Sequence, residues 1–206
     1  MNSTVKEVIE WIICIVVAIV LAILIRYFIG TPTEVKMTSM SPTLRPGERL
    51  ILNKIPITFG QELKRGDIIT FERPSKLTGV ESVKAEYNYK PENIFSSFIY
   101  YVLEIGKDSY IKRLIGLPGD HVQIQSDGVY INEQKLEESY IPNGVMTYPK
   151  NEYLTDFVVP EGYIFAMGDN RENSTDCREF GCVPIEKVEG VAWIRIWPLN
   201  LFGEIH

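Results

Sequence analysis

The chain has 206 residues, 45% of them hydrophobic, with 21 Lys and Arg against 27 Asp and Glu and a formal charge of −6. That length and apolar content fit one domain of ordinary size, or one domain plus an anchor. The acidic balance, without a dense basic run, argues against a nucleic-acid binder. Two histidines and three cysteines with no Cys-x-x-Cys pair leave a His/Cys metal site short of ligands, so no metal or other cofactor is expected.

The first element is apolar. Residues 11–25 read WIICIVVAIVLAILI without a charge, and Val8 to Ile29 form a run of 22 residues broken only by Glu10 and Arg26 near its ends. A helix needs about 20 residues to cross the hydrocarbon core. Trp11 and Tyr27 stand where interfacial aromatics belong. A cleaved leader would be shorter and followed by small residues, and a helix apolar all round prefers lipid to a protein core. The reading is therefore a transmembrane anchor over 8–29, in contact with the lipid bilayer. Charge leaves its orientation open: Lys6, Arg26 and Lys36 cancel Glu7, Glu10 and Glu34, so the net negative charge lies in residues 37–206.

After Gly30 the pattern turns to β. Pro32 and its neighbours suggest a short extended entry, and RLILNKI (49–55), GDIITFE (66–72), SYIKRLIG (109–116), HVQIQ (121–125), GVYIN (128–132), YIFAM (163–167) and GVAWIRIW (190–197) read as strands. Asp127-Gly128 between two alternating runs signals a hairpin, and LPGD (117–120) a tight turn. The expected fold class is mainly β, an antiparallel domain behind one transmembrane helix. One segment departs: in 92–106, Ile94, Phe95, Phe98, Ile99, Val102, Leu103 and Ile105 recur at helical spacing. It is expected to form a helix with Phe95, Phe98, Ile99 and Val102 turned inward, as a packing helix over a sheet edge, or towards lipid.

Three stretches carry candidate chemistry. KMTSMSPTL (36–44) crowds hydroxyls just beyond the anchor, either as a polar linker or because one is a nucleophile. In SYIKRLIG, alternation puts Tyr110, Lys112 and Leu114 on one face and Ile111, Arg113 and Ile115 on the other. Each face sets a cation among apolar neighbours, and a buried lysine, unlike arginine, can lose its proton. The alternative is two cations snorkelling at an edge. GDNRENSTDCREFG (168–181) packs Asp169, Asn170, Arg171, Ser174, Asp176 and Arg178 between strands, a density found in solvated loops and in organised sites alike.

Taken in order behind an anchor, SMSPTL (39–44), RGDIITF (65–71), YIKRLIGLPGD (110–120), GDNRENSTDCR (168–178) and RIWPLN (195–200) make the chain resemble the bacterial type I signal peptidases, membrane-bound serine endopeptidases that remove signal peptides from exported preproteins with a Ser/Lys dyad. The resemblance implies Ser39 as nucleophile and Lys112 as general base. It implies Ser174 as hydrogen-bond partner of the lysine amine, and Asp176 with Arg178 as an ordering pair. Met40 would stand beside the pocket for the small side chain before the cut. Met37, Tyr110 and Ile111 would join it, with the substrate strand adding to the sheet here. The resemblance also implies a cytoplasmic stretch over 1–7 and a catalytic domain over 30–206 on the extracytoplasmic face of the bacterial cell membrane, with preprotein signal peptides as partners.

Three departures from the family pattern stand out. Cys177 replaces a serine and Cys182 an apolar residue, which implies either a disulfide in an oxidising compartment or two inert thiols. Met37 stands where some members carry a serine that helps hold the oxyanion, which leaves the Ser39 N–H and Thr38 as donors. The stretch 75–108 is a long insertion. Ser41 and Thr43 are expected to organise the turn with Pro42. Two other functions fit the same frame: a peptidase dedicated to a few surface or pilus subunits, and a non-catalytic assembly factor of the same family.

Overall fold

The computed structural model describes residues 3–78, 81–104 and 106–205. The apolar segment is one helix, α1 (Ser3–Phe28), long and apolar enough to cross a membrane. At about 1.5 Å per residue it exceeds the hydrocarbon thickness, and its side chains lie outside the protein core. Its last turn is continued by the Ile29 N–H bonding to the Ile25 carbonyl at 2.9 Å.

Strands dominate the remainder. In chain order they are β1 (Gly30–Glu34), β2 (Arg49–Asn53), β3 (Ile68–Glu72), β4 (Ser109–Gly116), β5 (His121–Gln125), β6 (Gly128–Ile131), β7 (Gln134–Lys135), β8 (Asp156–Val158), β9 (Tyr163–Met167), β10 (Val183–Pro184), β11 (Val188–Trp197) and β12 (Gly203–Glu204). Short helices α2 (Ile55–Thr58), α3 (Ile94–Ser97) and α4 (Cys177–Phe180) interrupt them. The larger sheet runs β1-β2-β11-β3-β4-β9-β10 with β12 on β11, and the smaller runs β7-β6-β5-β8. All ladders between these strands are antiparallel. The mainly β, antiparallel expectation holds. The Asp127-Gly128 hairpin forms between β5 and β6, with Gln125 opposite Gly128.

Two cores result, and β3 divides them. Ile69 and Phe71 face the main core with Leu114, Val122, Ile124, Phe157 and Phe165, residues drawn from both sheets. Ile68 faces a smaller core of Val35, Met40, Leu44, Leu50, Leu52 and Ala192. Alternation along one strand therefore serves both. Each fully buried Leu, Ile, Phe or Met contributes about 1.5–3 kcal/mol, so the smaller core is enough to fix the 35–44 stretch against the sheet.

Part of the 75–108 stretch, expected as an insertion, belongs to the fold. Lys84 bridges to Cys182 in parallel, the Ala85 N–H donates to the Cys182 carbonyl at 2.9 Å, and Val83, Ala85 and Tyr87 pack on the main core. The helical segment is shorter than expected. A capping box, with the Ser96 N–H on Asn93 Oδ1 at 2.8 Å and the Asn93 N–H on Ser96 Oγ at 3.1 Å, starts it at Asn93. A π turn over Phe98–Val102 ends it; Ile105 lies outside the described residues. The inward residue is Tyr100, while Phe95 and Phe98 are exposed. The packing reading fails for those two phenylalanines, because Tyr100 takes the place against the protein.

Candidate active site

Three segments converge. The first is the 37–44 turn. Met40 is fully buried in the smaller core, which seats the turn from beneath and leaves its neighbour Ser39 facing Lys112. The Ser41 N–H donates to the Thr38 carbonyl at 3.0 Å and the Leu44 N–H to the Met40 carbonyl at 2.9 Å. The Ser41 hydroxyl bonds to the Leu44 carbonyl at 3.4 Å, so Ser41 organises the turn as expected. Thr43 instead donates to Asp169 Oδ2 at 2.6 Å, 126 residues away. It ties the turn to the loop after β9.

The second segment is β4. Lys112 lies opposite Ile69 in register and is buried, as is Arg113. β4 is thus covered on both faces and the snorkelling alternative is excluded. Lys112 Nζ donates to Ser39 Oγ at 2.8 Å and to the Ile111 carbonyl at 2.9 Å, and lies 5.0 Å from the centre of the Tyr110 ring. Burial pushes its pKa down to about 8, against an opposing pull from Asp176 and Asp169. A neutral amine at a serine hydroxyl is a base in contact with a nucleophile.

Arg113, on the opposite face, bonds Asp169 through Nε at 3.0 Å and Nη2 at 2.8 Å. It also donates to the Gly66 carbonyl at 2.9 Å and stacks 3.9 Å above Tyr140. Adjacent residues of one strand therefore divide the work: the lysine faces the hydroxyl, and the arginine holds the loop that frames it.

The third segment is the 168–178 loop. Asp176 caps α4 and accepts from the Gly168 N–H at 3.0 Å and from Arg178 Nε and Nη2 at 2.9 and 2.8 Å. Burial pushes its carboxyl up, but the Arg178 charge and hydrogen bonds override this and hold it below the usual carboxylate range. Arg178 also donates to the Arg171 carbonyl at 2.7 Å. Asn170 grips the turn twice, with its N–H on the Ser39 carbonyl at 3.0 Å and its Nδ2 on the Thr38 carbonyl at 3.1 Å.

Ser174 departs from expectation. The lysine amine is engaged by Ser39 and Ile111, and the buried Ser174 hydroxyl lies beside the Asp176 carboxyl, which it helps to hold below the usual range. Gly168 explains the closeness of these parts. A Cβ there would stand 2.1 Å from Ser174 Oγ and 2.5 Å from the Ser39 carbonyl oxygen, so the loop passes between them only as glycine.

Of the other expected residues, Thr38 and Met37 are exposed, while Tyr110 and Ile111 are half-buried. Tyr110 packs on the main core and Ile111 on the smaller. Met40 forms the floor behind Ser39 rather than a surface wall, because the smaller core takes its whole side chain. Cys177 and Cys182 are free and buried; the disulfide alternative is not realised, and both thiols are pushed up by burial. Sequence reasoning gave no individual role to Gly168, Asp169, Asn170 or Arg113. The run GDN was the available signal: a glycine for close approach beside two short polar side chains.

The family model described as "Signal peptidase, peptidase S26" matches residues 8–197. The chain is 32% identical over 211 residues to a Signal peptidase IB of Staphylococcus aureus strain COL, covering 96% of this chain and 93% of that one. It is 38% identical over 197 residues to a Signal peptidase I of Bacillus licheniformis, covering 93% and 89%. A crystal structure of a signal peptidase I from Enterococcus faecalis V583 aligns with 63% of this chain and 96% of its own, at 33% identity and a TM-score of 0.39.

Proposed function

The chain belongs to the signal peptidase family, peptidase S26, and from that premise we propose that it cleaves preproteins with a Ser39/Lys112 dyad while held to the membrane by α1. The observation that carries this is the 2.8 Å contact between the buried Lys112 amine and the Ser39 hydroxyl.

The chemistry follows from the contact. Neutral Lys112 takes the Ser39 proton as Oγ attacks the scissile carbonyl carbon. The oxyanion is held by the Ser39 N–H and the Thr38 hydroxyl. Collapse breaks the C–N bond, and the Lys112 ammonium protonates the leaving amine. Water then attacks the acyl ester with Lys112 again taking the proton, which returns to Ser39 Oγ as the enzyme is released. Asp176, Arg178 and Asn170 hold the geometry. Ser174 lines the same space beside Asp176.

The substrate strand lies between the stretch before Ser39 and the Ser109–Ile111 edge of β4. That edge pairs with β3, while the β9 ladder begins at Arg113, which leaves backbone groups for a third strand. Met37, Tyr110 and Ile111 border this position, over the Met40 floor. α1 delivers the site to the membrane surface: Ser39 follows Phe28 by eleven residues, a short tether at roughly 3.3 Å each. The domain over 30–206 faces the extracytoplasmic side, where a signal peptide emerges from the bilayer.

The test is incubation of the full-length protein in lipid with a panel of preproteins, wild type beside Ser39→Ala. Ser39-dependent cleavage of many supports a general signal peptidase. Cleavage of one or two indicates a dedicated enzyme, and cleavage of none indicates an assembly factor.

A further inference from the structure

The segment from Ile94 to Tyr101 exposes a row of large apolar side chains: Ile94 is 89% exposed, Phe95 73%, Phe98 41% and Tyr101 40%. At spacings of one, three and three these share one face of a helical turn. The opposite side is spoken for, with Tyr100 buried and its ring 4.4 Å from that of Tyr89.

The far end of the segment is tied to the anchor. Glu104, just past the π turn, bonds Arg26 of α1 at 3.2 Å and Lys54 at 2.5 Å. Arg26 is the cation at the end of the apolar run, where a long side chain reaches the interface. Glu104 adopts φ of 57°, the left-handed conformation that stops a helix. Phe98 is six residues before this ion pair, within about 9 Å along a helical rise. A second element meets the same end of α1: the Thr58 hydroxyl donates to the Phe28 carbonyl at 3.4 Å, and the following Phe59 is 69% exposed.

We propose that the 94–101 face is a second membrane contact, inserted into the interfacial layer of the same bilayer that α1 spans. It rests on the anchor reading above, since the Arg26–Glu104 pair places the segment at the exit of α1. The occupant is lipid because Tyr101, at one end of the patch, borders the same cleft as Tyr27 and Phe28 at the end of α1, and a bilayer covers whatever lies beside a transmembrane helix at that height. An inserted patch fixes the tilt of the protein on the membrane, which a single helix leaves free.

The test places nitroxide labels at Phe95→Cys and Phe98→Cys, each in a full-length Cys14→Ala background reconstituted into vesicles; Cys177 and Cys182 are buried. Val17→Cys in α1 and Gln134→Cys on β7 serve as lipid and water references. Retained preprotein cleavage shows that each variant is folded. Collisions with oxygen should exceed those with a water-soluble nickel chelate at 95 and 98, as at 17, and the order should reverse at 134. Water-like readings at 95 and 98 with a lipid-like reading at 17 overturn the proposal and leave the anchor intact. A water-like reading at 17 overturns both. Exclusion of both reagents at 95 and 98, with spin–spin broadening that vanishes on dilution with unlabelled protein, puts a second copy on the face and also overturns it.

Discussion

Lys112 Nζ and Ser39 Oγ lie 2.8 Å apart although 73 residues separate them in the chain. The amine reaches the hydroxyl from a strand covered on both faces, and that cover lowers its pKa from an ordinary 10.5 to about 8. The distance supplies reach, and the burial supplies an amine that loses its proton near pH 8.

The pH dependence follows. As the proposed base, Lys112 works only when neutral, so kcat/KM should rise roughly tenfold per pH unit below about 8 and level off above it. Lys112→Arg should fall to the Ser39→Ala background, because a guanidinium keeps its proton at any working pH. Stability should move with the same group. Its folded pKa lies below its unfolded one, so between about pH 8 and 10 its own contribution to the unfolding free energy rises with pH, against the fall contributed by the buried Cys177 and Cys182 thiols, whose pKa values burial raises. Lys112→Met should remove the rising contribution, so that stability falls more steeply with pH than in the wild type, read by urea unfolding at pH 7.5, 8.5 and 9.5.

Gly168→Ala should abolish cleavage. The added methyl meets the Ser174 side chain and the Ser39 carbonyl oxygen at 2.5 Å or less. Adding Ser174→Ala should not rescue it, because the clash with the Ser39 backbone and with Cβ of residue 174 persists. Recovery of wild-type rate in the double variant would show that the loop moves freely past the turn.

Asp169→Asn should destabilise by about 3 kcal/mol, since it leaves Arg113 buried without its carboxylate. Thr43→Val removes one hydrogen bond to that carboxylate and should cost about 1 kcal/mol. Urea unfolding checks both. The two losses should not add, because both substitutions act on one network.

Thiol titration should find Cys177 and Cys182 unreactive in the folded protein, and all three thiols reactive in denaturant without prior reduction. Reductant should leave the melting temperature unchanged. A reductant-dependent loss of stability would indicate a bridge.

Much of the fold was legible because its signals are local. A 22-residue apolar run, Asp127-Gly128 between alternating runs, and SYIKRLIG each announce their element through neighbours in the chain. β4 and β5 form over the very residues that the pattern marked. The short β7, β10 and β12 were not legible, because two-residue strands carry no periodicity. The π turn was not either: helical spacing in 92–106 marks apolar positions but does not say which side the protein covers.

The sequence by itself determined the apolar helix, the β character of the rest and, through motifs in fixed order, the candidate site residues. Tertiary structure alone decided what each touches and how deeply it is buried. Lys112 and Arg113 are adjacent cations on one strand, and only the packing on either face makes one a depressed amine beside Ser39 and the other a paired guanidinium on Asp169. Thr43 and Ser41 are near-equivalent hydroxyls in one turn, yet one stays local and the other reaches across to a loop. The reason is that burial and long-range contact are properties of the closed sheet. A pKa set by desolvation has no value until the chain that excludes the water is in place.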